Sequence, residues 1–290
     1  MTVNALIEQG LDPDEIRSIV RTALAEDLRY GPDVTTTATV PADARATAKV
    51  VSRQLGTVAG IDVGLLVLDE VLGVGGYTVE ERVTDGTEVV PGQSVLTVTA
   101  ATRGLLTAER TMLNLVCHLS GIATATAAWV GEVADTDTKI RDSRKTLPGL
   151  RSLQKYAVRA GGGVNHRMGL GDAALIKDNH VAAAGSVVAA LQAVRDAAPD
   201  IECEVEVDSL EQLDQVLAEN VQLVLLDNFA LWQTQMAVQR RGTLSPQTKL
   251  ESSGGLTIDV ARDYAKTGVD FLAVGGLTHS VTVLDLGLDM

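Results

Sequence analysis

The pattern of apolar and polar residues changes near residue 100 of the chain. Before that point, four short segments alternate apolar with polar positions, as expected for β-strands with one buried face. They cover residues 48–52, 77–83, 88–90 and 94–99. The pairs Asp85-Gly86 and Pro91-Gly92 are turn signals, and residues 61–72 have a helical pattern. The first part of the chain therefore predicts a small α+β domain with antiparallel strands.

The remainder of the chain has the pattern of alternating strands and helices. A helix is predicted from residue 104, because Leu105, Leu113 and Val116 recur at helical spacing. Apolar, β-branched runs follow at residues 138–142, 173–177, 203–207, 222–227, 249–253 and 270–275. Helical patterns lie between several of them, at residues 181–198, 209–219 and 257–266. Strand followed by helix at this spacing predicts parallel strands and a barrel related to the (β/α)₈ architecture.

Composition is typical of a cytoplasmic α/β enzyme with one large and one smaller domain. The chain has 290 residues, of which 46% are hydrophobic and only 3% aromatic. Its first residues lack the basic and apolar regions of a secretory signal, and no apolar run reaches the roughly 18 residues that span a bilayer. Cys117 and Cys203 have no partner at metal-ligand spacing. We therefore expect buried, reduced thiols and no membrane partner.

Basic residues are concentrated in one region of an otherwise acidic chain. The formal net charge is −14, yet residues 139–180 contain nine Lys and Arg against three Asp, a net of about +6. The rest of the chain must then carry about −20, which would repel a polyanion. Nucleic acid is therefore not an expected partner. A small anion that enters a locally positive cleft is the expected one.

Polar residues stand at the carboxyl ends of the six predicted parallel strands. In chain order these ends contain Asp142-Ser143-Arg144-Lys145, Lys177-Asp178-Asn179-His180, Glu204 with Glu206, Asp227-Asn228, Glu251-Ser252-Ser253-Gly254-Gly255, and Gly275-Gly276. Because the carboxyl ends of parallel barrel strands converge on one face, these residues predict an active site there.

Two of the strand ends are candidates for phosphate binding. Ser253 and Gly254 stand just before the helix predicted from residue 257, and Gly275 stands before another short polar segment. Glycines let backbone N–H groups converge on a phosphate, and a helix N-terminus adds a favourable dipole. Either strand end alone is more often a plain turn. Together, in the last two strand–helix connections, the two strand ends predict a phosphate site.

These residues belong to sequence blocks that resemble the quinolinate phosphoribosyltransferase family along nearly the whole chain. The sequence of these blocks is most similar to that of the actinobacterial members. The matched blocks include Asp33-Val34-Thr35-Thr36, Arg110-Thr111-Met112-Leu113-Asn114, Asp142 to Arg151, Gly161 to Arg167, Leu175 to His180, Glu204 to Val207, Leu226-Asp227-Asn228, Glu251 to Gly255 and Leu277 to Ser280.

The resemblance implies a fold and a reaction. The fold is a small N-terminal α+β open-faced sandwich domain, residues 1–113 joined by the tail 281–290, followed by an incomplete TIM-like barrel, residues 114–280. The enzyme would transfer phosphoribosyl from phosphoribosyl pyrophosphate to quinolinate, with Mg²⁺. The products would be nicotinate mononucleotide, pyrophosphate and CO₂, in the de novo route to NAD.

The resemblance also assigns residues to the two substrates. Quinolinate would be bound by Arg144, His166, Arg167 and Lys177, with Arg110 supplied by a neighbouring subunit, so that the protein would be a homodimer or larger. Residues assigned to phosphoribosyl pyrophosphate are Lys145, Lys177, Glu206, Asp227, Ser253, Gly254, Gly275 and His279. Lys145, Glu206 and Asp227 would be catalytic. Glu206 and Asp227 would hold Mg²⁺, mainly through substrate and water.

Other interpretations of the same residues remain open at this stage. A Schiff-base lyase could use Lys177 as its nucleophile, although it would not need so many cations beside two phosphate sites. A phosphoribosyltransferase for a monocarboxylate would not need both Arg110 and Lys177. A non-catalytic metabolite sensor or structural oligomer would bind without turnover. His279 is equally compatible with a phosphate loop and with a helix cap, and Glu204 with a barrel-interior partner of a cation.

Overall fold

The computed structural model describes residues 2–290 and contains the alternating elements that the sequence predicts. The helices are α1 (Thr2–Glu8), α2 (Pro13–Leu28), α3 (Val34–Thr39), α4 (Ile61–Leu72), α5 (Thr102–Glu132), α6 (Arg151–Ala160), α7 (Asp178–Ala184), α8 (Val187–Ala197), α9 (Leu210–Ala218), α10 (Leu231–Leu244), α11 (Ile258–Ala265) and α12 (Gly276–His279). The strands are β1 (Arg45–Ser52), β2 (Gly56–Thr57), β3 (Tyr77–Arg82), β4 (Glu88–Val89), β5 (Ser94–Ala101), β6 (Lys139–Arg141), β7 (Ala174–Ile176), β8 (Cys203–Val207), β9 (Leu223–Asp227), β10 (Lys249–Ser253), β11 (Phe271–Ala273) and β12 (Leu286–Asp289).

The first of two structural units is built on an antiparallel sheet. It combines the chain up to Ala127 with residues Thr146–Gly162 and Leu277–Met290. Its main sheet has the strand order β12-β1-β5-β3, so the C-terminal tail adds an edge strand to the N-terminal sheet. Helix α4 is almost wholly buried, and α1 and α2 pack against it. The antiparallel sheet and its helices have the α+β character that the sequence predicts for the first part of the chain.

The second unit, residues Ala128–Lys145 and Gly163–Gly276, contains the partial barrel. Its six strands have the order β6-β11-β10-β9-β8-β7, and every neighbouring pair is parallel. The strands are buried because helices cover the sheet, and Val205, Val224 and Leu250 are fully enclosed. All six lie within two residues of the predicted bounds. The α/β fold class with a six-stranded parallel partial barrel is thereby confirmed.

The helix predicted over residues 181–198 is wrong in one respect, because the chain forms two helices there. Gly185 ends α7 in the left-handed region at φ 90°, and Ser186 begins α8 by accepting a hydrogen bond from the Ala189 N–H. Glycine is common directly after the last residue of a helix, and serine is common directly before the first residue of a helix. The pair Gly185-Ser186 therefore marks the end of one helix and the start of the next. The apolar periodicity on either side concealed this break.

Helix α5 is longer than the sequence pattern indicates, and the predicted boundary after residue 113 lies within it. The predicted division of the chain into domains 1–113 and 114–280 stays a prediction.

Helix α5 also bears on the expectation that no apolar run is long enough to span a bilayer. Among residues 2–290, α5 is long and apolar enough by length and composition to cross a membrane, so that expectation was wrong. Within the fold, 56% of its most apolar window is buried, as in the core helix of a soluble protein.

Asp85 is a stabilising residue of the first unit that can be tested directly. Its carboxylate accepts hydrogen bonds from the N–H groups of Gly60 and Ile61, at 2.6 and 3.1 Å, and from the Tyr156 hydroxyl at 2.5 Å. Asp85→Ala should lower the free energy of unfolding by about 2–4 kcal/mol, because it uncaps α4 and leaves the hydroxyl unpaired. Urea unfolding measures this change. Asp43→Ala, at an exposed position, is the control and should change it by less than about 0.5 kcal/mol.

Candidate active site

A cavity of about 600 Å³ lies at the carboxyl ends of the barrel strands, entirely within the second unit. Every strand of the parallel sheet contributes to it directly or through the loop that follows. Its lining residues are Ser143, Arg144, Lys145, His166, Arg167, Leu175, Lys177, Glu206, Leu225, Asp227, Asn228, Glu251, Ser253, Gly254, Gly255, Ala273 and Gly275. The volume fits small ligands and excludes a macromolecular chain.

The structure brings most of the sequence-predicted site residues to this cavity. The predicted residues that line it are Arg144, Lys145, His166, Arg167, Lys177, Glu206, Asp227, Ser253, Gly254 and Gly275. Arg110 and His279 belong to the first unit, where both side chains are exposed. The individual roles given to all twelve residues stay predictions.

Two guanidinium groups make one side of the cavity positive. Burial, together with the neighbouring charge of Arg144, lowers the pKa of Arg167 from its ordinary value of 12.5. Arg167 Nη1 donates to the carbonyl of Ala173 at 2.9 Å, whereas the buried Nε of Arg144 has no hydrogen-bond partner within the described chain. Like charges held this close favour an anionic ligand, which relieves their repulsion.

Two lysines flank these guanidinium groups from different strands. Lys177 Nζ donates to Glu206 Oε2 at 2.6 Å, across the ends of β7 and β8. The Lys145 side chain lies over Gly275, since a Cβ added to Gly275 would stand 2.9 Å from Lys145 Cδ. The missing side chain at Gly275 is therefore what allows Lys145 to lie in the cavity.

The loop after β10, which we call the glycine cradle, holds Gly254 against Asn228. Gly254 has φ 100°, in the left-handed region, and a Cβ there would lie 2.3 Å from Asn228 Oδ1. Asn228 is also left-handed at φ 54°, and its N–H donates to the Ser253 carbonyl at 2.9 Å. The two strand ends are thus locked together, and glycine at 254 is required both by φ and by space.

Below these cations lies a buried layer of charged and hydrogen-bonded groups. His166 Nε2 is 2.6 Å from Glu204 Oε2 and 4.0 Å from Glu251 Oε1, and Arg141 Nη1 donates to Glu251 Oε2 at 2.8 Å. Burial raises the pKa of Glu204 to about 7. Burial and the nearby Glu204 raise the pKa of Glu251 to about 7 as well. Of these two carboxyls, Glu204 is the one whose charge acts on Arg167.

This buried layer is what sequence reasoning missed. Glu204 and Glu251 were among the polar residues at the predicted strand ends, but neither was assigned to a substrate, and Arg141 was not singled out. One available signal was the period of two in β8, which places Glu204 on the same face as Glu206. His166, Glu204 and Glu251 have potential ligand atoms within 4.8 Å of one another. Arg141 already donates to Glu251 Oε2, so this cluster has the character of a hydrogen-bonded network.

The comparisons with known proteins agree with this geometry. Residues 33–120 match the quinolinate phosphoribosyl transferase N-terminal domain, and residues 122–289 match the C-terminal domain of the same family. The chain belongs to the quinolinate phosphoribosyltransferase family. It is 68% identical to the carboxylating nicotinate-nucleotide pyrophosphorylase of Mycobacterium leprae, over 96% of this chain and 98% of that protein. The predicted resemblance, including its actinobacterial type, is confirmed.

Solved structures of the family superimpose on nearly the whole chain. NadC from Streptococcus pyogenes has a TM-score of 0.91 at 36% identity and covers 97% of both chains. The nicotinate-nucleotide pyrophosphorylase from Francisella tularensis has a TM-score of 0.90 at 36% identity, over 96% of this chain and 97% of that one. The quinolinate phosphoribosyltransferase fold therefore extends through both units.

The raised pKa of Glu251 predicts that the free energy of unfolding depends on pH. The folded protein retains the Glu251 proton up to about pH 7, whereas an unfolded chain releases it near the ordinary pKa of 4.5. The folded state binds more protons in that window, so this contribution to the free energy of unfolding is present below pH 4.5 and is lost as the pH rises through 7.

Glu251→Gln keeps an oxygen for Arg141 and should make the fall in stability over this range smaller than in the wild type. Urea unfolding at several pH values between about 4.5 and 8 measures the slope. Glu211→Gln, at an exposed position of α9, is the control and should follow the wild type. Identical slopes for the wild type and Glu251→Gln would contradict the raised pKa.

Proposed function

We propose that this chain transfers the phosphoribosyl group of phosphoribosyl pyrophosphate to the ring nitrogen of quinolinate, with loss of CO₂. The products are nicotinate mononucleotide and pyrophosphate, which makes the enzyme a pentosyltransferase of NAD biosynthesis. One observation carries the proposal: a single cavity joins a cluster of guanidinium and ammonium groups to a glycine cradle at the next strand ends. A dicarboxylate and a phosphorylated sugar need these two kinds of site side by side.

The guanidinium side of the cavity suits quinolinate. Two adjacent carboxylates on a planar ring are held best by planar guanidinium forks with an additional point charge, as Arg144, Arg167 and Lys177 provide. Leu175 and Leu225 line the same cavity and offer apolar contact to a pyridine ring. Quinolinate therefore binds with its carboxylates towards the cations and its ring against the leucines.

The glycine side suits phosphoribosyl pyrophosphate. Ser253, Gly254 and Gly275 present backbone N–H and hydroxyl donors that fit the 5′-phosphate. Lys145 and Lys177 reach the pyrophosphate, and Glu206 and Asp227 lie at the neighbouring strand ends beside the ribose. This places C1 of the ribose between the two halves of the cavity.

The mechanism follows from position and charge and forms no covalent bond to the enzyme. As pyrophosphate departs, Lys145 stabilises the charge on the leaving group, while Glu206 and Asp227 favour the positive charge that develops on the sugar. The pyridine nitrogen bonds to C1 and becomes positive. The C2 carboxylate then leaves as CO₂, and the electron pair that remains on C2 is stabilised by the adjacent positive nitrogen until a proton replaces it. Alignment of both substrates supplies several kcal/mol of the barrier.

Magnesium fits the acidic residues of the cavity. Glu206 and Asp227 stand on adjacent strands in an open pocket, and Mg²⁺ prefers one or two carboxylates together with substrate phosphates and water. When bound, Mg²⁺ would neutralise charge on the pyrophosphate. Glu206 and Asp227 would hold it mainly through substrate and water.

Arg110 acts in this proposal through the assembled protein. Arg110 reaches the quinolinate carboxylates of a neighbouring subunit, which makes the enzyme a homodimer or a larger homo-oligomer with shared sites. His279 contributes to the phosphate site. The enzyme is cytoplasmic, and its partners are the two small substrates and copies of itself, without nucleic acid or membrane.

The alternatives fit the cavity less well. In a Schiff-base lyase Lys177 would need a free electron pair, but its Nζ donates to Glu206 at 2.6 Å. A monocarboxylate substrate would leave part of the Arg144, Arg167 and Lys177 cluster without a counter-ion. A sensor has no need for Lys145, Glu206 and Asp227 together in the cavity.

Release of labelled CO₂ tests the proposed reaction. Quinolinate labelled at its 2-carboxylate should release CO₂ only with phosphoribosyl pyrophosphate and Mg²⁺ both present, because the ring nitrogen must become positive first. Nicotinate in place of quinolinate should give no nucleotide product. A folded oligomer that binds quinolinate but releases no CO₂ under these conditions would contradict the proposal.

Mixed oligomers test the shared site. Arg110→Ala and Lys145→Ala should each be nearly inactive alone. If Arg110 serves the neighbouring subunit of a dimer, equal mixing with subunit exchange should restore about a quarter of wild-type activity, since half of the dimers then have one intact site of two. Mixing with no recovery, although exchange is shown by mass-tagged subunits, would place Arg110 in its own subunit's site.

A further inference from the structure

We propose that His166 is a positioning residue, and that its imidazole fixes Arg167 instead of donating to a substrate carboxylate. Both ring nitrogens already have partners within the second unit. The Arg167 N–H donates to His166 Nδ1 at 2.7 Å, and His166 Nε2 is 2.6 Å from Glu204 Oε2. The imidazole lines the cavity with its ring but has no further N–H to offer.

The contact at Nδ1 determines the tautomer. An Nδ1 that accepts from a backbone N–H at 2.7 Å must carry an electron pair, because a proton there would face another proton. The remaining ring proton is then on Nε2, which donates to Glu204. His166 is therefore a neutral imidazole with its proton on Nε2, and a cationic His166 would break the Arg167 contact.

This assignment does not depend on the charge of Glu204. An ionised carboxylate accepts from Nε2–H through either oxygen, and a neutral carboxyl group accepts through its carbonyl oxygen. The other charged groups that face the ring are Glu251, with Oε1 4.0 Å from Nε2, and Arg141, which is bound to Glu251. Both carboxyls lie on the Nε2 side of the ring and match a donor there.

The ring is one of several attachments that hold the segment 165–167 in place. Directly after β6, Asp142 accepts hydrogen bonds from the His166 N–H at 2.7 Å and from the Asn165 side-chain amide at 2.6 Å. From β8, Glu204 holds the ring, and the Arg167 Nη1 bond to Ala173 completes the arrangement. Glu204 and His166 together thus set the position from which the Arg167 guanidinium enters the cavity.

Nitrogen NMR of the full-length protein labelled with ¹⁵N-histidine tests the tautomer directly, and the His166 signals are those absent in His166→Gln. We expect a pyridine-type Nδ1 and a pyrrole-type Nε2, both unchanged when quinolinate is added. Two pyrrole-type signals in the quinolinate complex would overturn the proposal. The unliganded spectrum tests the tautomer whether or not the chain uses quinolinate.

Steady-state kinetics test the positioning role, which rests on the proposed function. Glu204→Gln still offers an oxygen to Nε2–H and should keep the KM for quinolinate within about threefold of the wild type. Glu204→Ala should raise this KM about 10- to 100-fold and change the KM for phosphoribosyl pyrophosphate much less, because only Arg167 is displaced. Glu211→Ala, at an exposed position of α9, is the control and should leave both constants unchanged.

Two variants at position 166 separate positioning from direct binding. The glutamine of His166→Gln places an amide donor near the position of Nε2. The rise in the KM for quinolinate should therefore be much smaller in His166→Gln than in His166→Ala. An equal rise in the KM for quinolinate in both variants, with normal folding by circular dichroism, would overturn the positioning role. A wild-type protein that turned over no quinolinate would instead contradict the proposed function and leave the NMR result standing.

Discussion

The site depends on a balance between cations at the open end of the barrel and carboxyl groups beneath them. Arg144 and Arg167 are close enough that one lowers the pKa of the other, and a folded protein can hold them there only with compensating charge. Glu204 supplies part of this compensation to Arg167, whereas Glu206 pairs with Lys177 and Glu251 pairs with Arg141. The cavity is therefore positive where a ligand enters and neutralised below, which prepares it for anions before any ligand binds.

The parallel sheet explains how residues so far apart in sequence reach one place. Each strand ends at the same edge, so a polar residue just after a strand lies near the corresponding residues of its neighbours. Close packing then sets the details. Gly254 fits only because it has no Cβ to meet Asn228, and Gly275 leaves the space that Lys145 fills. The phosphate site that we propose at Ser253, Gly254 and Gly275 would thus depend largely on the backbone.

Most of the fold and much of the site could be predicted from the sequence, because both have local signals. The six strand runs and the polar residues that follow them identified the edge of the barrel, and family motifs gave the residue assignments that stay predictions. The Gly185-Ser186 break was missed since apolar periodicity continued on both sides of it. The network of Arg141, His166, Glu204 and Glu251 could not be predicted, because its members meet only in three dimensions.

If one cavity of the second unit binds both substrates, their anionic groups should lie on separate sets of residues. A crystal structure of the assembled protein with quinolinate and an unreactive phosphoribosyl pyrophosphate analogue is the most direct test. We expect the quinolinate carboxylates on Arg144, Arg167 and Lys177 and the 5′-phosphate at Ser253 and Gly254. Quinolinate bound outside this cavity, or a phosphate held away from the glycines, would contradict this expectation.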